Sequence, residues 1–174
     1  MKRKTVYLPG HIEERSDKMY EITIVEEKPK QIAGMRKRAH YKEIAKMLPD
    51  LFEYATSQGA RIAGPPMFLW HEKSVEEAQI ADQEGNADVE VCVPILEKIP
   101  ETDAIKCYEL PGGKMARVIH KGPYEASGPA YEKLFAWIEE NGKQLSGPIR
   151  EAYLNDPRTV GPEEILTVVY APVS

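Results

Sequence analysis

The chain has 174 residues, with 23 Lys and Arg against 28 Asp and Glu, a net charge of −5, and basic residues that are scattered rather than gathered into a stripe. That length supports a real hydrophobic core in one domain or in two small fused halves, and the charge pattern argues against direct nucleic-acid binding. No apolar run approaches membrane-spanning length and the basic N-terminus lacks the apolar stretch of a secretory signal, so a cytoplasmic protein with no membrane partner is expected.

Residues 1–18 are polar, carry Pro9-Gly10, and read as an N-terminal arm without chemistry of its own. From Tyr20 the alternation Tyr20, Ile22, Ile24 predicts a half-buried strand, and after Lys28-Pro29-Lys30 a second strand covers 32–38. Ile44, Leu48, Leu51, Phe52 and Ala55 recur at helical spacing, and Gly59 supplies the left-handed stop. Gly64-Pro65 turns into a strand at 67–71, the acidic stretch 73–87 reads as a long surface loop, and a strand follows over 88–95. A linker at 97–103 precedes a second passage through the same order. It runs as strand 105–110, the turn Pro111-Gly112-Gly113-Lys114, and strand 115–120; a helix with Tyr131, Leu134, Phe135 and Ile138 then ends at Gly142, before strands at 150–154 and 166–173.

The recurrence has a fixed register. Residues 32–66 lie over 115–149 without a gap at an offset of 83, so that Ala33 meets Ala116, Tyr41 meets Tyr124, Leu51-Phe52 meets Leu134-Phe135, Tyr54 meets Trp137, Gly59 meets Gly142 and Gly64-Pro65 meets Gly147-Pro148. These matches fall on helix core, helix stop and turn, where a shared backbone requires them. The expected fold is α+β: a tandem duplication of a strand-strand-helix-strand-strand unit with antiparallel sheets, helices on one face and a ligand cleft at the seam between copies. The first repeat spans 19–96 and the second 104–174, and together they form one domain.

A position where the copies differ sharply in chemistry is a candidate site. Alternation through Arg150-Glu151-Ala152-Tyr153-Leu154 places Ala152 and Leu154 under the helix and Glu151 and Tyr153 on the face away from it. At the offset of 83, Glu151 replaces Phe68 and Tyr153 replaces Trp70, so one seam position is aromatic in one copy and a carboxylate in the other. A carboxylate aimed at an aromatic groove is costly unless compensated. Two readings stand. In one, Glu151 is neutralised by Arg150, Arg36 or Arg117, or faces water. In the other, it anchors a pocket walled by Phe68, Trp70, Tyr153 and Tyr170, with Glu90 a further candidate, suited to a flat, hydrophobic, often cationic molecule.

Other chemistry is not signalled. Tyr54 and Trp137 read as core. His11, His40, His71 and His120 are dispersed, Cys92 and Cys107 lack a CxxC spacing and read as reduced core thiols, and Ser127-Gly128-Pro129 serves better as a helix cap than as a nucleophile turn. No P-loop or dinucleotide fingerprint is present, so neither metal nor cofactor is expected.

The runs Gly122-Pro123-Tyr124-Glu125, Tyr131-Glu132-Lys133-Leu134-Phe135-Ala136-Trp137-Ile138-Glu139-Glu140-Asn141-Gly142, Gly147-Pro148-Ile149-Arg150-Glu151-Ala152-Tyr153-Leu154-Asn155-Asp156-Pro157 and Pro162-Glu163-Glu164-Ile165-Leu166-Thr167 resemble the GyrI-like small-molecule-binding domain family, with a weaker match from Tyr20 to Pro94. The resemblance implies a duplicated fold enclosing a hydrophobic cleft. In effector domains of multidrug-responsive regulators, such a cleft binds bulky aromatic or cationic compounds, often around a buried glutamate that matches Glu151. Regulators of that kind carry a helix-turn-helix domain, which the residues before Tyr20 cannot hold, so the chain resembles the stand-alone form. Some stand-alone relatives imply a hydrolase that opens cyclopropane rings of genotoxins, with Glu151 orienting or deprotonating water and Tyr153 assisting proton transfer. The family's name-giving gyrase inhibitor implies a third reading, a protein partner engaged through the 73–87 loop.

Overall fold

The structure, a computed structural model, describes residues 20–174; the arm expected over 1–18 lies outside them. Its strands are β1 (Thr23–Glu27), β2 (Lys30–Ala39), β3 (Met67–Trp70), β4 (Ala87–Pro94), β5 (Ile105–Leu110), β6 (Gly113–Lys121), β7 (Ile149–Tyr153) and β8 (Leu166–Pro172). The helices are α1 (Ile44–Ser57), α2 (Val75–Gln83) and α3 (Gly128–Glu140). The fold is α+β, with all eight strands in one curled antiparallel sheet of order β1-β6-β8-β7-β3-β4-β2-β5.

The strands flanking each turn do not pair with one another: β1 pairs with β6, and β5 with β2. Each leading strand therefore crosses to the other half of the sheet, and the β3–β7 pair joins the halves at the centre. The crossing needs a close approach of two turns. A Cβ on Gly112 would lie 2.3 Å from the Glu27 carbonyl oxygen and 2.7 Å from the Pro29 nitrogen, so only glycine lets the turn after β5 rest on the turn after β1.

Alternation along the strands divides the core between the two sheet faces. On one face α1 lays Met47, Leu51 and Ala55 against Ala33, Val89, Val91 and Val93, while α3 lays Ala130, Leu134 and Ile138 against Ala116, Val118, Val169 and Ala171. Both helices stop at glycines in the left-handed region, Gly59 (φ 76°) and Gly142 (φ 60°), as the repeat register predicts. The matched leucines, Leu51 and Leu134, are fully buried, but the matched phenylalanines part ways: Phe52 is 46 % exposed and Phe135 is half-buried. The other face buries Ile32, Met67, Leu69, Cys92, Leu110, Ala152 and Val168 with no helix over them. Sheet curl encloses it, for the Arg150 guanidinium on β7 donates to the Pro111 carbonyl just after β5 at 2.5 Å.

One expectation fails outright. The stretch 73–87 is not a loop: it contains α2, which has a cap the sequence spells as Ser-x-x-Glu. Ser74 Oγ accepts from the Glu77 amide at 3.1 Å, and Glu77 Oε2 accepts from the Lys73 amide at 2.7 Å. The acidic composition hid the helix because Ala78 is its one buried residue.

Gly112→Ala is expected to destabilise by about 2 kcal/mol or more, lowering the melting temperature by roughly 4–8 °C in a domain of this size. An unchanged melting temperature in thermal unfolding would show that the two turns can separate without loss.

Candidate functional site

The register of β3 against β7 sets Phe68 directly opposite Glu151, and Trp70 opposite Ile149. Phe68, Trp70, Glu151 and Tyr153 therefore share a face, as their phase predicts, but it is the helix face rather than the face away from it. Alternation supplies a period and not a sign, and the small Ala152 points into the helix-free core with Met67 and Val168. On the helix face α3 meets the carboxylate. The Tyr131 hydroxyl donates to Glu151 Oε1 in a short hydrogen bond, and the Tyr153 hydroxyl donates to Oε2 at 2.9 Å.

A groove of about 490 Å³ opens over this seam. Its floor is Phe68, Trp70 and Glu151, one wall is Tyr131 and Phe135 of α3, and the other is Tyr41, Ile44 and α2. Aromatic edges meet aromatic faces around it. Trp70 stands 5.9 Å from Tyr131 and 6.1 Å from Phe135, both edge-on, and Tyr41 meets Phe68 at 5.8 Å. The α2 wall is tied to the start of the first helical turn. Asp82 Oδ1 accepts from the Tyr41 amide at 2.7 Å, and its carbonyl bonds His40 Nδ1 at 2.5 Å.

The arginines that could have neutralised Glu151 are engaged elsewhere. Arg36 grips Asp88 through two bonds of 2.8 and 2.7 Å, which hold the Asp88 carboxyl below its ordinary range. Arg117 donates to Thr23 Oγ1, and Arg150 is buried on the opposite face. Among the described residues no basic side chain pairs with Glu151. Burial first, and then the Glu151 charge and hydrogen bond, push both the Tyr131 and the Tyr153 phenols well above their ordinary range, so both remain donors.

Two candidates are not brought to the groove. Tyr170 packs against the helix-free core, in register with Arg150. Glu90 is buried in register with Leu69, on that same side, and accepts from Tyr108 at 2.8 Å while lying 2.7 Å from His71 Nε2. Tyr153 is held beneath the groove and touches it through Glu151. Tyr131 and Phe135 were legible only as a helix stripe, because period alone does not separate a stripe that packs from one that lines a groove, and Tyr41 only as the matched tyrosine before the first helix. Tyr54 and Trp137 pack against the core as expected.

The chain belongs to the GyrI-like small molecule binding domain family, whose profile matches residues 20–174. Its fold is similar to that of the EcmrR C-terminal domain (TM-score 0.80, 24% identity, covering 90% of this chain and 98% of that one). It is likewise similar to EcmrR solved as an EcmrR–DNA complex (TM-score 0.80, 23% identity), where it covers 95% of this chain and spans 63% of that chain. SAV2435 bound to tetraphenylphosphonium shares the fold at TM-score 0.58 and 14% identity, over 88% of this chain and 94% of that one. No curated protein matches the sequence.

The EcmrR–DNA complex corrects the expectation that nucleic acid is no partner: this fold occurs in a protein solved on DNA. The charge of one domain reports on that domain's own surface and does not exclude a role beside nucleic acid. Among the described residues no helix is long and apolar enough to cross a membrane.

The raised phenols give the fold an alkaline limit. Stabilisation by protonated Tyr131 and Tyr153 is fully present below the unfolded value of about 10 and is lost as the pH rises toward the higher folded value, at up to about 1.4 kcal/mol per pH unit for each phenol. Urea unfolding at successive alkaline pH values should show a shallower loss in the Tyr131→Phe, Tyr153→Phe double variant; an identical slope would place these phenols outside the buried network.

Proposed function

We propose that this domain binds bulky, apolar aromatic molecules, cations among them, in the groove over the β3–β7 seam, as a sensor, sequestering protein or detoxifier. The observation that carries the reading is Glu151: a half-buried carboxylate on an aromatic floor, oriented by two phenol donors and, among the described residues, without a basic partner. Phenol donors fix and partly stabilise the charge but do not neutralise it, so a cation stacked on Trp70 or Phe68 gains both charge attraction and a cation–π contact. The tetraphenylphosphonium bound by SAV2435 is a bulky aromatic cation, which supports the ligand class for a shared fold. Phe68, Trp70 and Glu151 are the proposed ligand-contacting residues among those the sequence singled out, and Tyr153 a positioning residue.

The domain reading goes with it. The halves 19–96 and 104–174, joined by 97–103, are proposed to be copies of one unit. Support comes from the sheet order, which reads the same from either end when β1 to β4 are exchanged with β5 to β8, and from the equivalent bridges Ile62–Ile95 and Leu145–Val173. Joining two such copies puts the Phe68–Glu151 difference at their central strand pair. The stretch 73–87, read as a loop for a protein partner, is instead helix α2, which lends Val75, Gln79 and Asp82 to the groove wall.

Titration of a planar xanthene cation by fluorescence should saturate, and Glu151→Gln should weaken it by about tenfold. Equal affinity in both proteins would remove Glu151 as the anchor. Mass spectrometry on a cyclopropane-bearing compound recovered after incubation separates binding, with mass unchanged, from hydrolysis, with one water gained.

A further inference from the structure

Beyond Trp70 lies a second cavity of about 360 Å³, whose lining includes Trp70, Glu72, Lys73, Phe135, Leu145 and Pro148. Trp70 and Phe135 line both this cavity and the groove, so the two spaces are lobes on either side of one aromatic partition. Glu72 continues the phase of Phe68 and Trp70 beyond the end of β3. Its Oε1 accepts from the Asp88 amide at 2.7 Å, while its Oε2 is buried without a hydrogen-bond partner among the described residues. The Tyr41 hydroxyl, on the groove side, is buried beside Glu72 and the Trp70 indole and makes no well-formed hydrogen bond. Four buried side-chain polar atoms lack a partner among the described residues, and two of them belong to residues beside this partition. Glu72 and the Trp70 indole both act on the Tyr41 phenol, so carboxylate, hydroxyl and indole converge there.

Glu72, like Glu151, thus meets neutral donors, the Asp88 amide and the Tyr41 hydroxyl, beside an aromatic wall between two cavities, and its remaining charge is what a ligand's positive centre would satisfy. We propose that the site is two-lobed and that its ligands include elongated apolar dications, with one positive centre at Glu151 and the other at Glu72. This rests on the groove reading above and adds a second anchor to it. Glu72 lies four residues from Phe68, two of them beyond the end of β3, and Glu151 one strand across, which sets the two carboxylates about 10–15 Å apart and with them the spacing of the two charges. The linker lies across the Trp70–Phe135 pair, and displacement of the half-buried indole opens Glu72 Oε2 to the second charge. Lys73 at the mouth opposes it only weakly, because its exposed ammonium is screened by water and salt and Glu72 Oε2 is not.

The test uses calorimetric titration of the chain with two probes: a pair of quinolinium rings joined by a ten-carbon chain, and the single-ring decyl monocation. Wild type should bind the dication at least about tenfold tighter than the monocation. Glu72→Gln, whose amide oxygen can still accept from Asp88, should abolish that advantage and leave the monocation unchanged. Leu145→Trp, which fills the second lobe from an exposed position, should do the same without touching Glu72. Dication and monocation affinities within twofold of each other in wild type, or equal weakening of both probes by Glu72→Gln and none of the dication by Leu145→Trp, would overturn the second lobe. In those cases monocation binding that depends on Glu151 would leave the groove reading standing. Failure of wild type to bind either probe would overturn both.

Discussion

The antiparallel pairing of β3 with β7 is the constraint on which the groove depends. It closes two four-strand sets into one sheet, and its register fixes Phe68 and Glu151 as opposite neighbours. Directly opposed residues on a shared face lie about 4.5–5.5 Å apart at Cβ, so a shift of one residue would turn the carboxylate into the helix-free core beside Met67 and Leu69. Arg150, its neighbour on β7, would turn the other way, and the groove would carry a guanidinium where the carboxylate now stands. The pairing is itself well enforced, since both faces of β3 and β7 are packed and a slip would expose Leu69 and Ala152 while burying Arg150 differently.

Charge is distributed between the faces in a complementary manner. The concave face carries buried Glu90 and Arg150, each with partners supplied by the curled sheet: Tyr108 and His71 for the first, the Pro111 carbonyl for the second. Burial lowers the Arg150 pKa, yet the group stays a cation because a guanidinium begins so high. Glu90 is satisfied from within, whereas Arg150 keeps one bond to a carbonyl and a buried Nε without a partner among the described residues. On the helix face Glu151 has phenols but no cation among the described residues, whereas Glu90 has an imidazole beside it, and that difference between the two carboxylates separates one that holds the fold from one left able to attract a ligand.

Much of this architecture was legible in the sequence. Strand alternation placed all eight strands to within a few residues, and the helix-ending glycines and Gly-Pro turns marked the recurrence, because these features are local and their periods are set by backbone geometry. What failed was non-local. Which side of the sheet a helix covers depends on chain path and not on period, and this reversed the face assigned to Glu151 and Tyr153 while leaving their grouping with Phe68 and Trp70 intact. Glu90 was drawn toward the groove by the phase it shares with Cys92, and that phase, like the register of Tyr170 with Arg150, belongs to the helix-free face. The exchange of β1 and β5 between halves has no local signature except the glycine pair at Gly112-Gly113. Helix α2 did have one, Ser74 and Glu77 at capping spacing, and acidic composition outweighed it.

The central claim is that Glu151 is the anchor for a ligand's positive charge. A crystal structure with a planar aromatic cation tests it most directly. The account predicts the cation's ring system against Trp70 or Phe68, with its charged centre within about 6 Å of the ring faces and facing the Glu151 carboxylate, and the Tyr131 and Tyr153 hydrogen bonds retained. A cation seated on the concave face, or bound with Glu151 turned away from it, would contradict the account.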